Sequence, residues 1–116
     1  MMEVSLPYPP SVNNYWRHVG PRVLISRQGR AFRERVRSVL AMARVKPLHG
    51  PPRVVIELYP LDNRRRDVDN VMKALLDALE HGGAYHDDSQ IVKLEVEKRD
   101  VAVGGKTEVR IEEVQR

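Results

Sequence analysis

The chain contains no cysteine, which excludes disulfides, thiolate nucleophiles and cysteine-based zinc sites and makes a reducing cytoplasm its simplest location. Long apolar runs are missing too. No stretch approaches the roughly 20 residues of a spanning helix, so a membrane partner is not expected. The N-terminal residues lack the apolar h-region of a secretory leader. Internal repeats, low-complexity tracts and linkers are absent, and 116 residues with 41% apolar content suit a single domain spanning 1–116. Charge is what the chain has in excess. Twenty Lys and Arg stand against 16 Asp and Glu, a net charge of +4, and a basic balance of this kind favours nucleic acid as partner.

Periodicity and punctuation define the elements. Residues 3–8 read as a strand ending at Pro9-Pro10, followed by a loop through Ser11 and Asn13-Asn14. Residues 15–18 and 22–25 pair as a hairpin about Gly20-Pro21. Ser26 caps a helix over 27–45 that buries Phe32, Val36, Val39, Leu40 and Ala43. Its arginines 27, 30, 33 and 37 form either a basic face for DNA or a solvated surface. A strand over 53–59 follows Pro51-Pro52, and a second helix over 68–81, with Val68, Val71, Met72, Leu75, Leu76 and Leu79 inward, stops at Gly82-Gly83. Residues 91–98 and 107–113 alternate as strands. Two main helices and about five short strands make a small mixed α+β fold.

The chemistry concentrates where Arg64-Arg65-Arg66 runs into Asp67-Val68-Asp69-Asn70, with Lys73 one helical turn beyond Asp69. Carboxylates gather to hold a cation and arginines to hold phosphate, so their adjacency suggests a hard metal ion meeting a phosphodiester. Inside a helix, residues two apart diverge by about 200°. At a helix start, with Asp67 still in the loop, both carboxylates can converge. Asp87-Asp88, in the turn before the 91–98 strand, offers a third carboxylate. Each residue also has an ordinary use. Asp67 or Asp69 alone serves as a helix cap, Lys73 pairs with Asp69 or Asp77, and Asp87-Asp88 makes a turn. Tyr15 and Trp16 beside Arg17 and His18 suit base stacking and phosphate contact, or a packed core. His86 adjoins the acidic turn without zinc spacing.

Three ordered segments carry a resemblance along nearly the whole chain: Pro9-Pro10-Ser11-Val12-Asn13-Asn14-Tyr15-Trp16-Arg17; Arg66-Asp67-Val68-Asp69-Asn70-Val71-Met72-Lys73-Ala74 with Asp77-Ala78-Leu79; and Asp87-Asp88-Ser89-Gln90-Ile91. Together they resemble the RusA family of Holliday-junction resolvases. The resemblance implies a RusA-like homodimeric fold and Mg²⁺-dependent nicking of four-way DNA junctions, with Mn²⁺ able to substitute. It implies that Asp67, Asp69 and Asp88 bind metal, that Lys73 is catalytic, and that Arg66 and Asn70 sit around the site. Arg64, Arg65 and Arg17 would contact DNA. Ala84-Tyr85-His86 is less aromatic and apolar than the corresponding family segment, which leaves substrate preference open. The rival reading from another class is a non-catalytic binder of branched or duplex DNA, in which the aspartates are only caps. A phosphatase with an Asp-x-Asp nucleophile fits poorly, because three arginines rather than a buried strand precede the motif.

Overall fold

The computed structural model describes residues 1–114. Its main sheet has four strands: β1 (Met2–Leu6), β4 (Pro52–Tyr59), β5 (Lys93–Lys98) and β6 (Lys106–Glu113), in the order β1-β6-β4-β5. On β4 the residues Pro52, Val54, Ile56 and Leu58 are buried while their alternates are half-exposed, the period-2 pattern of a sheet covered on one face. The pairing register aligns these buried rows. Val54 lies opposite Ile111 and Ile56 opposite Val109, and Val109 in turn faces Val4.

Two helices cover this face. α2 (Arg27–Met42) contributes Phe32, Val36 and Leu40, and α3 (Asp69–His81) contributes Val71, Ala74, Leu75, Ala78 and Leu79. The opposite face is polar, with Arg53 bridging Glu95 and Glu112 at 2.8 Å each. β2 (Trp16–Val19) and β3 (Arg22–Ile25) pair separately as a hairpin. Among the described residues there are thus six strands in two sheets, where about five were expected.

One connection decides where the candidate site residues lie. β4 and β5 pair in parallel, and a parallel pair requires a crossover, which α3 supplies. Asp67 and Asp69 therefore follow the C-terminal end of β4, and residues 87–90 precede the N-terminal end of β5.

Three expectations need correction. Tyr15 belongs to a single-turn helix, α1 (Val12–Tyr15), not to a strand. The Ser11 carbonyl accepts from the N–H groups of Asn14 (3.0 Å) and Tyr15 (2.9 Å), and the Tyr15 side chain is fully buried. The first long helix ends at Met42 rather than 45, because Arg44 takes a left-handed φ of 56°. The N–H groups of Arg44 and Val45 then bond back to Ala41 and Leu40, a Schellman closure that leaves Ala43 exposed. Finally, β5 starts at Lys93 rather than Ile91, since Asp88–Gln90 form a 3₁₀ turn.

Candidate active site

At the N-terminal end of α3 the capping position belongs to Val68, whose side chain makes no cap bond. Asp67 lies outside the helix and Asp69 is its first residue, and both are exposed. Helix entry is closed by backbone instead, with Asn70 N–H bonded to the Asp67 carbonyl at 3.2 Å. Neither carboxylate accepts a hydrogen bond or pairs with a cation among the described residues, so neither is used as a side-chain cap. Lys73 stands one turn along on the Asp69 face, exposed, with no carboxylate within salt-bridge distance among the described residues.

Asp77, the other candidate partner for Lys73, is committed elsewhere. It accepts the Tyr15 hydroxyl and binds Arg33 at 2.8–2.9 Å, and Arg33 also donates to the Tyr15 oxygen at 2.9 Å. Burial, reinforced by the Asp77 bond, pushes the Tyr15 hydroxyl well above its ordinary pKa. This triad locks α1, α2 and α3 together and makes Tyr15 a core residue rather than a base-stacking one. The basic-face reading of α2 weakens likewise: Arg33 pairs with Asp77, Arg37 with Glu34, and Arg30 donates to the Ile25 carbonyl at 3.1 Å.

The three arginines before Asp67, equivalent in sequence, separate in structure. Arg66 is clamped by Asp62 at 2.6 Å and its guanidinium lies 5.9 Å from the Tyr8 ring centroid. Its hydrogen bond, followed by the Arg64 backbone N–H, holds the Asp62 carboxyl below the usual aspartate range. Arg64 is 84% exposed, at 3.7 Å from Asp62. Arg65 is exposed as well, and so is Arg17 on β2. Asn70 is half-buried and lines a cavity with Tyr8 and Arg66.

The acidic turn has its own division of labour. Asp87 caps the 3₁₀ turn by accepting from Ser89 N–H at 2.8 Å, which lowers its carboxyl pKa. Gln90 staples the segment. Its oxygen accepts from His86 and Asp87 N–H (2.8 and 2.9 Å), and its amide donates to the carbonyls of Leu48, His49 and Gly50 at 3.0–3.3 Å. Asp88 N–H donates to Glu80 at 2.7 Å, while the Asp88 carboxylate has no bonded donor among the described residues. His86 lies 3.2 Å from a ring nitrogen of His49 rather than against the acids.

Oxygens of Glu80, Asp87 and Asp88 lie within 4.8 Å of one another, a grouping able to take a hard cation. Glu80 escaped the sequence reading. It sits eleven residues after Asp69, three whole turns, and therefore shares the face of Asp69 and Lys73.

The same count sets a separation. Eleven residues of helix span about 16 Å, so Asp69 and the Glu80–Asp88 contact occupy opposite ends of α3. Within one chain Asp67 and Asp69 do not converge with Asp88 on a single ion. The candidate residues therefore fall into two groups, one at each end of α3.

A family model described as Endodeoxyribonuclease RusA matches residues 7–112. The chain is 41% identical over 112 residues, covering 96% of it and 93% of the relative, to the crossover junction endodeoxyribonuclease RusA of Shigella sonnei (strain Ss046). The like-named proteins of Escherichia coli (strain K12) and Enterobacteria phage 82 are each 40% identical over the same length. Asp67, Asp69, Lys73 and Asp88 thus stand uncommitted inside a match that runs almost from end to end, and the chain belongs to the RusA endodeoxyribonuclease family.

Proposed function

We propose that this protein is a divalent-metal-dependent endodeoxyribonuclease that resolves four-way DNA junctions as a C2 homodimer, by paired symmetric nicks. The observation that carries the reading is the unemployed state of Asp67, Asp69 and Lys73. A DNA binder gains nothing from exposed carboxylates that cap no helix and pair with no cation, beside a polyanion. Such carboxylates are hard oxygen donors and fit Mg²⁺, with Mn²⁺ as a substitute.

Bound there, the metal supplies neutralisation of the phosphate and a water of lowered pKa. The residues provide the rest. Asp67 and Asp69 hold the cation from one protomer, and the partner's Asp88, seated against the partner's Glu80, completes the set. A two-fold axis perpendicular to α3 and passing beside its midpoint, off its exposed Asp69–Lys73 face, would set two copies antiparallel and bring each N-terminal half-site to the other's C-terminal half-site. Lys73 donates to the phosphate oxygen on which charge develops, as preorganised cations do in phosphoryl transfer. Arg64 and Arg65 grip the backbone, with guanidinium forks matched to phosphate. Two equivalent sites suit paired incision in opposing strands, each leaving a 5′-phosphate and a 3′-hydroxyl.

A synthetic four-way junction with Mg²⁺ should be nicked symmetrically by the wild type. Asp69→Asn should bind it undiminished and leave it uncut. Cleavage by Asp69→Asn at the wild-type rate refutes the metal assignment, and a wild type that binds but never cuts in Mg²⁺ or Mn²⁺ establishes the non-catalytic binder instead.

A further inference from the structure

The Pro9–Asn14 segment has no part in the chemistry above, yet it walls a cavity of about 450 Å³ beside the metal-binding end of α3. Tyr8, Asn14, Gln28, Arg35, Arg66 and Asn70 supply its aromatic, amide and cationic groups. Arg66 and Asn70 directly flank Asp67 and Asp69 in sequence, so the cavity opens next to the proposed cation.

Its charge is distinctive. No carboxylate of the described residues lines it, in a chain with 16 acidic residues. Four other cavities each include at least one glutamate: Glu3, Glu34, Glu57 or Glu95. Arg35, and Arg66 with its charge shared with Asp62, thus stand on a wall without an acid of its own, which suits a phosphate-bearing ligand better than the glutamate-lined cavities do.

The polar groups are also unengaged. The side-chain amides of Asn14, Gln28 and Asn70 form no hydrogen bond with any described residue, whereas the Gln90 amide makes five. Asn14 and Gln28 are exposed at the cavity mouth and Asn70 is half-buried within it, and unpaired amides in that arrangement can meet a ligand that offers both donors and acceptors, which the edge of a nucleobase does. Tyr8 adds a ring on which a base can stack. Two glycines keep the opposite wall close. A Cβ on Gly105, already at a left-handed φ of 70°, would stand 3.1 Å from the Tyr8 Cβ, and Gly104 lines the cavity directly.

We propose that this cavity receives one unstacked nucleotide of the junction, adjacent to the cleaved phosphate, with its base against Tyr8 and its polar edge toward Asn14 and Gln28. The Pro-Pro-Ser segment is then the base-reading wall of the nuclease, and amide contacts there set which nucleotide flanks the cut. The position of the cleaved phosphate rests on the metal assignment of Asp67 and Asp69.

The test is a binding cycle in Ca²⁺, read without cleavage. Junctions carrying a single abasic site, moved through the nucleotides around the crossover, are bound by wild type, Tyr8→Ala and Tyr8→Phe. One abasic position should weaken wild type by about tenfold, the scale of one base–aromatic stack. Tyr8→Phe should keep that penalty. Tyr8→Ala should bind the intact junction about tenfold more weakly and show no further loss at that position. Equal abasic penalties for wild type and Tyr8→Ala at every position overturn the proposal, whatever the stability of the variant. Repeating the cycle in Asp69→Asn separates the two readings: the base cycle should persist there, while cleavage by Asp69→Asn would sink only the metal assignment.

Discussion

Mixing two inactive variants should restore one active site. Asp69→Asn and Asp88→Asn each remove a ligand from both sites of their own homodimer. In a mixed dimer with shared sites, one site receives both substitutions and the other receives neither. The structure makes the opposite outcome physically costly. Carboxylate oxygens on one Mg²⁺ lie about 2 Å from it, hence within about 4 Å of each other, whereas Asp69 and Glu80 are about 16 Å apart along α3. Closing that gap inside one chain would mean unwinding a helix whose Ala74, Leu75, Ala78 and Leu79 are all fully buried. Random reassortment of equal amounts yields about half mixed dimers. With one intact site each, the mixture should nick at about a quarter of the wild-type rate. Because paired incision needs both sites, a supercoiled cruciform plasmid should accumulate as nicked circle and scarcely as linear product. A mixed dimer of wild type with Asp69→Asn gives the reference for one intact site under either arrangement. If that control nicks while the doubly mutant mixture stays inert, the site is contained in one chain and the helix-end separation has been misread.

Gly29→Ala would ordinarily stabilise a helix by about 1 kcal/mol. Here the added Cβ would meet the Tyr15 carbonyl at 2.5 Å and Ile25 Cγ1 at 2.8 Å, so a net loss of about 1–3 kcal/mol is expected in urea denaturation; equal or greater stability contradicts the packing described. Gln90→Ala frees the turn that aims Asp88, and should raise the Mg²⁺ concentration for half-maximal cleavage several-fold while leaving junction affinity in Ca²⁺ intact; unchanged metal dependence removes Gln90 from the site's support. Asp62, with its folded pKa lowered by Arg66, holds that clamp fully above the ordinary aspartate value of 3.8 and releases it as pH falls through the lower folded value. NMR of the Arg66 guanidinium should report that release in wild type and no pH response in Asp62→Asn.

The reading of the chain succeeded where short-range physics decides. Ser26 caps α2 by accepting from Gly29 N–H at 2.9 Å, and Gly83, at φ 93°, closes α3 as a glycine stop should. Tyr15 failed because the partner that buries it, Asp77, is 62 residues away, beyond any local pattern. The same holds for the site. The motif alone is what groups Asp67, Asp69 and Asp88 into the proposed site. Their separation is not legible there, since it follows from β5 pairing parallel to β4, a long-range choice that turns α3 into a spacer.

Sequence also fails to distinguish residues of one type that the fold employs from those it leaves idle. Asp77 and Asp87 are as acidic as Asp69 and Asp88, but the first is bound to Arg33 and Tyr15 and the second caps a turn. Gln90 and Gln28 differ in the same way, as do Arg66 and Arg65. Buried or half-buried polar groups left without a protein partner carry a desolvation cost, and exposed like charges left adjacent repel. A fold that retains Asp67 beside Asp69, and a half-buried Asn70 without a partner beside an acid-free cavity, therefore keeps them at some cost to its stability. A cation at the carboxylates and a nucleotide at Asn70 would relieve both costs together, which is why the uncommitted residues, and not merely the charged ones, define the functional surface proposed above.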